Sequence, residues 1–334
     1  MSAMAGSIGA VRTRPTNGAV AWARRNAWTI GLLVLLSILL AFTKFIQPRY
    51  GVAGVQGLAI SVLPLALAAV AQAVVVISGG IDLSVGALMA LTNVVAAVLM
   101  NGQSEEFGVV VVLAVLIFGL MLGAINGGLI VVTRVPDIVV TLAMSFVWAG
   151  CALLVLPTPG GGSANWLMGI VTGSFGNEWI PKAAVVLILV VAVIWIPVRR
   201  SRLGLSFFAI GGNQLAAFRS GVSVGRTKIL AYALMGLFAA LAGLSLTAST
   251  GIGTPVPGPY TLMSVAAVVL GGVSLAGGRG GVFGPILAVM ILQMIRTDMT
   301  LLDVNTNLAT VLQGLILIGV VMLGSLIQIR RARA

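Results

Sequence analysis

The chain has 334 residues, 59% of them hydrophobic and 8% charged, where a soluble domain is roughly half apolar and about a quarter charged, so this composition cannot make a water-facing surface. Its net charge of +12 comes from residues that punctuate hydrophobic runs instead of lining one face, which excludes nucleic acid as a partner and reports membrane topology. There is no histidine and a single cysteine, Cys151; intrachain disulfides and Cys/His metal sites are excluded, and with the acids scattered along the chain no metal is predicted.

The expected fold is all-α and polytopic, with about ten transmembrane helices forming one domain over roughly 27–328 between short tails at 1–26 and 329–334. The basic tail holding Arg12, Arg14, Arg24 and Arg25 precedes an apolar run too long for a secretory signal core and without a clear cleavage site, so that run is read as a retained first helix. Charges and Gly/Pro clusters set the first five spans at roughly 28–46, 55–78, 84–100, 108–132 and 138–156. A polar, glycine-rich stretch at about 157–182 follows. The last five spans are placed at roughly 183–198, 229–249, 260–276, 282–297 and 306–327.

With the N-terminus inside, this threading puts Arg134, the segment 199–228, Arg279 and the Arg330–Arg333 cluster in the cytoplasm, and Glu105, Glu106, Glu178, Asp298 and Asp303 outside. Such a bias follows the excess of Lys and Arg in cytoplasmic loops, and both termini are expected in the cytoplasm. An offset of 172 residues sets Ile77-Ser-Gly-Gly-Ile-Asp-Leu-Ser-Val-Gly86 against Ser249-Thr-Gly-Ile-Gly-Thr-Pro-Val-Pro-Gly258, on few identities. The first loop falls inside and the second outside, as in an inverted repeat, a plan common among transporters.

Gly79-Gly-Ile-Asp-Leu-Ser-Val-Gly86 joins a glycine break to a carboxylate and a hydroxyl at a helix start. Asp82 or Ser84 could cap the third helix; alternatively Gly80, Asp82, Ser84 and Gly86 form a gating motif, because carboxylates near membrane depth are costly and often functional. The glycines of 271–281 lack the Lys-Ser/Thr ending and the strand-to-helix context of a phosphate loop, so they are assigned to helix packing and a sharp turn. The segment 203–228 is the longest interior cytoplasmic stretch, and its residues 211–222 read as loop, short helix, then glycine stop. It is either an ordinary loop or a helix that docks into a partner's groove.

Polar residues inside the spans are nearly all neutral: Gln72, Asn93, Asn126, Thr141, Ser145, Ser264 and Gln293. They either glue helices together or line a path for a polar, uncharged solute. No intramembrane ion pair is evident, which argues against a charged cargo and a proton relay. Without histidine no catalytic triad can be assembled, so enzyme activity is not expected.

These strings, with Gly123-Ala-Ile-Asn-Gly127, Val135-Pro-Asp-Ile-Val-Val-Thr-Leu142, Gly211-Gly-Asn213 through Ser220-Gly-Val222, and Ala266-Ala-Val-Val-Leu-Gly-Gly-Val-Ser-Leu-Ala-Gly-Gly278, lie in the order and spacing of a known family. The chain resembles the permease subunits of bacterial ATP-binding-cassette importers of the ribose type, a branch that includes autoinducer-2 permeases. The resemblance implies an inner-membrane subunit that works with a second permease subunit, a cytoplasmic ATPase using ATP and Mg, and a periplasmic sugar-binding protein. It implies no cofactor in this chain, a neutral cargo such as a monosaccharide, and coupling to the ATPase through Gly211, Gly212, Asn213, Ala217, Arg219, Ser220 and Gly221. Gln72, Asn93, Asn126, Thr141 and Ser264 are the candidates for the substrate path. Asp137, Trp148-Ala149-Gly150 and Tyr260-Thr-Leu-Met263 depart from the family pattern, consistent with an unusual substrate or one half of a heterodimer. An ion-coupled carrier or facilitator for a neutral solute is the alternative.

Overall fold

A computed structural model describes residues 26–256 and 258–305, together with 308, 311, 314, 315, 318, 319 and 322. The tail expected at 1–26 (but for Asn26), the tail at 329–334 and most of the tenth span at 306–327 lie outside the described residues.

Among the described residues, seven apolar helical runs are long enough to cross a membrane. They are α1 (Ala27–Ile46), α2 (Val52–Ile77), α4 (Glu105–Thr133), α5 (Asp137–Val155), the run Lys182–Arg200, α11 (Val224–Thr250) and α13 (Phe283–Leu301). Two shorter apolar helices, α3 (Val85–Met100) and α12 (Tyr260–Leu270), complete the set. Lys182–Arg200 is one rod made of α7 (Lys182–Val190), a π turn (Val191–Trp195) and α8 (Ile196–Arg200), where one added residue per turn bulges the helix before Pro197.

The core sits along α2, whose residues from Val62 to Ile77 are all buried. α11 lies beside it and packs on α4, α2 and α3. The crossing of α4 with α11 is set by small residues: a Cβ on Gly123 would stand 2.9 Å from Gly236 Cα, and one on Gly119 2.7 Å from the Gly236 carbonyl. Close backbone approach of this kind is how helices pack in lipid, where apolar side chains gain little by leaving the solvent. Outward faces such as Val109, Leu113, Ile117 and Met121 of α4 remain exposed, as a lipid-facing surface requires.

The two most deeply embedded long helices are each followed by a loop and a short helix, α2 by α3 and α11 by α12, running in opposite senses across the bundle. At 1.5 Å per residue, α12 spans only about half of a hydrocarbon layer of ~30 Å. The starts of the short helices meet, since the Gly86 amide donates to Thr261 Oγ1 at 3.0 Å.

Several expected boundaries are corrected. The span placed at 260–276 stops at Leu270, because Gly271 lies against Gly284 and Pro285 at the start of α13 and Gly272 adopts a positive φ of 78°. The polar stretch 157–182 contains a short helix, α6 (Asn165–Val171), and a two-stranded hairpin, β1 (Ser174–Phe175) and β2 (Asn177–Pro181). Gly211 and Gly212, expected as loop, close a helix, α9 (Arg202–Gly212), and the short helix expected after them is α10 (Gln214–Arg219); the two are capped by Ser201 and Asn213 side chains accepting from the Gly204 and Ala216 amides. α11 then begins at Val224, so residues 224–228 belong to a spanning helix.

Candidate functional site

Three of the segments expected in the cytoplasm converge at one end of the bundle. The loop after α2, the end of α9 and the loop after α12 meet through glycines: a Cβ on Gly79 would lie 3.3 Å from Gly211 Cα, and one on Gly277 would lie 2.9 Å from Gly79 Cα and 3.0 Å from Gly211 Cα. Gly79 has φ +84°, a conformation that costs a side-chain-bearing residue energy and costs glycine nothing. The Gly278 amide donates to the Ile77 carbonyl at 2.9 Å, tying the third loop to the end of α2. A shallow cavity of about 290 Å³, lined by Gly212, Ser274, Ala276, Gly277, Gly278 and Arg279, opens beside this junction. Below it α9 and α10 turn apolar side chains outward: Leu205 is 72% exposed, Leu215 60% and Phe218 67%.

The loop between α2 and α3 is held from the surrounding helices. Asp82 is fully buried, and its Oδ1 accepts from the Ser84 amide and the Ser84 hydroxyl, each at 2.6 Å. Asn126 on α4 donates to Ser84 Oγ at 2.8 Å and to Asp82 Oδ2 at 3.4 Å, while Trp148 Nε1 on α5 donates to Asn126 Oδ1 at 3.2 Å. With its amide oriented to satisfy both groups, Gln72 on α2 donates to the Asp82 carbonyl at 2.9 Å and accepts from the Asp82 amide at 3.3 Å. Thr141 on α5 accepts from the Leu83 amide at 3.1 Å and donates toward the Asp137 and Ile81 carbonyls. Ser84 makes no side-chain cap of α3; the carboxylate of Asp82 meets the amide at the helix start instead.

Thus Gln72, Asp82, Ser84, Asn126 and Thr141 form one buried network, and Gly80 and Gly86 belong to the same loop. Asn93 stands apart, toward the opposite end, where it donates to Thr247 Oγ1 at 2.8 Å and accepts from the Thr254 amide at 2.6 Å. Ser264 donates to the Thr261 carbonyl of its own helix. All five path candidates are buried and bonded to protein, and all but Ser264 bond to another segment, as residues that glue helices do. Of the coupling candidates, Gly211 sits in the glycine junction and Gly212 at the cavity. Asn213 caps α10, Ala217 is buried, and Arg219, Ser220 and Gly221 are exposed at its end.

Sequence reasoning missed a second polar group beside this loop. Lys228 Nζ contacts Asp137 Oδ1 at 2.6 Å, Tyr232 OH donates to Asp137 Oδ2 at 2.9 Å, and both charged side chains are 14% exposed. This ion pair joins the starts of α5 and α11, and both of its residues fall just outside the spans expected at 138–156 and 229–249. The available signals were an acid at an otherwise cationic end, and Lys228 and Tyr232 four residues apart on one helix face.

A lipid-facing bundle of apolar helices around a buried polar loop, with an exposed helical segment resting on that loop, defines a polytopic membrane protein of the transporter type. Residues 54–321 match the family described as the permease component of branched-chain amino acid transport systems. The chain belongs to this family of transport permeases, and it is a transport subunit and not an enzyme. It is 34% identical to the ribose import permease protein of Escherichia coli strain K12 over 76% of this chain and 79% of that protein. It is 29% identical to the D-allose transport system permease protein of the same strain over 94% of this chain and 95% of that one. Similarity to the autoinducer 2 import system permease protein of Yersinia enterocolitica is 29% identity over 89% and 92% of the two chains. No solved structure matches the chain significantly.

Proposed function

We propose that this chain is the membrane-spanning subunit of an ATP-binding-cassette importer that carries a monosaccharide or a similar small, neutral, polar solute across the bacterial inner membrane. It works with a second permease subunit, a separate cytoplasmic ATPase that uses ATP and Mg, and a periplasmic sugar-binding protein; the chain itself holds no cofactor. The end bearing α9 and α10 faces the cytoplasm together with both termini. The sugar-type cargo is supported by the relatives' names, and Gln72, Asn93, Asn126, Thr141 and Ser264 stay the candidates for the substrate path, each engaged with protein in this arrangement of the helices. Opposed running of α2–α3 and α11–α12 supports two inverted halves.

The observation that carries the reading is the placement of α9 and α10. They present Leu205, Leu215 and Phe218 to the outside while Gly211 bears directly on the loop at Gly79, so a partner that moved the segment would move the loop. ATPase closure would thereby bias the bundle between inward-open and outward-open states.

Replacement of Gly212 or Arg219 by glutamate tests this. A Cβ on Gly212 meets nothing within 4 Å and Arg219 is exposed, so both variants should insert normally. Each is expected to lose ATPase co-purification or to uncouple ATP hydrolysis from transport. Normal transport and normal ATPase stimulation in both would overturn the docking assignment.

A further inference from the structure

The position of α5 poses a mechanical question. α5 packs on α3 and less extensively on α4, whereas its packing on α11 is slight. It follows α4 after a connection of three residues in which Arg134 has φ 59°, a left-handed conformation unusual for a side-chain-bearing residue, and Pro136 begins the helix. α5 therefore leaves α4 through a tight turn and lies at the edge of the core formed by α2, α3, α4 and α11. What fastens its start to α11 is the group Asp137, Lys228 and Tyr232.

That group lies directly on the loop that the docking segment touches. A Cβ on Gly80 would stand 2.6 Å from Asp137 Oδ2 and 2.7 Å from Tyr232 OH, and Tyr232 OH also reaches the Ile81 carbonyl at 3.5 Å. Gly79, the preceding residue, bears on Gly211 of α9. One continuous line of contact thus runs from α9 through Gly211, Gly79 and Gly80 to the carboxylate of Asp137, with no flexible side chain before its end. Both ion-pair partners keep some access to water, so the charges can be solvated if they part, which a fully dry pair could not do cheaply.

We propose that Asp137, Lys228 and Tyr232 form a latch that holds the start of α5 on α11 in one state of the transport cycle, and that displacement of α9 opens it through Gly79 and Gly80. The proposal rests on α9–α10 being the docking segment. The latch lets the α5 start swing away from the core, and its closure restores the arrangement seen here. A fixed staple would instead stay shut throughout the cycle.

The test uses the complete complex of this chain, with the ATPase that co-purifies with it and its binding protein, in proteoliposomes. In a Cys151→Ser background, Asp137→Cys together with Lys228→Cys is bridged by a short bis-methanethiosulfonate reagent. Bridging should abolish transport, and reductant should restore it; transport that continues with the bridge formed overturns the latch. As a second measurement, Asp137→Asn and Lys228→Gln should each raise ATP hydrolysis in the absence of binding protein by about fivefold or more. The reversed pair Asp137→Lys with Lys228→Asp should bring it back toward the wild-type level. Gly80→Ala should act like the single variants, because its Cβ pushes on Asp137 and Tyr232. Wild-type hydrolysis in the single variants and Gly80→Ala, at normal membrane levels, also overturns the proposal. ATPase co-purification is measured throughout: its loss in Arg219→Glu but retention in the latch variants separates failure of the latch from failure of the docking assignment.

Discussion

At the scale of single residues, Asn126 and Asn93 have the same chemistry and different jobs. Asn126 joins α4 to the loop at Asp82 and Ser84 and to Trp148 of α5, whereas Asn93 joins α3 to the connection after α11. Replacement of either by leucine strands several buried donors and acceptors, at a cost of about 1–2 kcal/mol for such bonds within a membrane. Both variants should lower the melting temperature in detergent and the amount of protein in the membrane, with transport falling in proportion. Transport lost at an unchanged membrane level would show instead that these amides line the path. Each residue of the Asp82 network could be picked out of the sequence, from a glycine break or as a polar group in an apolar run. Their meeting could not, because Asp82, Asn126 and Thr141 come from separate segments and only the fold sets their distance. The same holds for Asp137 and Lys228, 91 positions apart.

At the scale of elements, the spanning helices were legible because an apolar run of membrane-crossing length has few other solutions. α9 was not, since Gly204, Gly211 and Gly212 lower intrinsic helix propensity. In the fold, a Cβ on Gly204 or Gly211 would collide with neighbouring backbone, so at those positions glycine is a packing requirement and not a helix breaker. α4 allows a controlled comparison of the two roles. A Cβ on Gly123 would press on the backbone of Gly236 and Tyr232, whereas one on Gly128 meets nothing within 4 Å. Gly123→Ala should therefore destabilise the protein by about 1–3 kcal/mol, as overpacking does, whereas Gly128→Ala should leave the detergent melting temperature unchanged or raise it, because alanine favours the helix. A melting temperature raised equally in both would mean that helix propensity, and not the crossing with α11, governs this region.

At the scale of the whole molecule, cations are unevenly placed along the bundle. Arg134, Arg199, Arg200, Arg202, Arg219, Arg226 and Arg279 lie at the end bearing α9 and α10, while the other end is mixed, with Glu105, Glu106, Glu178 and Asp303 beside Lys44, Arg49, Lys182 and Arg296. At that other end Glu105 receives the Asn165 and Trp166 amides and anchors α6 over the start of α4. With Cys151 replaced by serine, a cysteine at Arg219 should react with a membrane-impermeant maleimide only in inverted vesicles, and one at Glu106 only in intact cells with a permeabilised outer membrane. The opposite pattern would reverse the orientation. The gathering of arginines at one end was legible from the sequence because it needs only the order of spans and charges. The half-length of α12 was not, since the apolar run continues through Leu270 and only the seat of Gly271 on the next helix ends it.

The glycine junction also bears on wear and tolerance. A joint made of side chains has rotamers in which a push can dissipate, and each substitution retunes it. Where Gly79, Gly211 and Gly277 approach backbone to backbone there is no such play, so the contact between α9 and the loop at Gly80 contains no side chain that could absorb a push. Such a bearing is insensitive to what decorates the outer surface of α9 and α10. In the proposed importer, the exterior of α9 and α10 would therefore be free to change with the ATPase it meets, while the inner glycine contact stays the same.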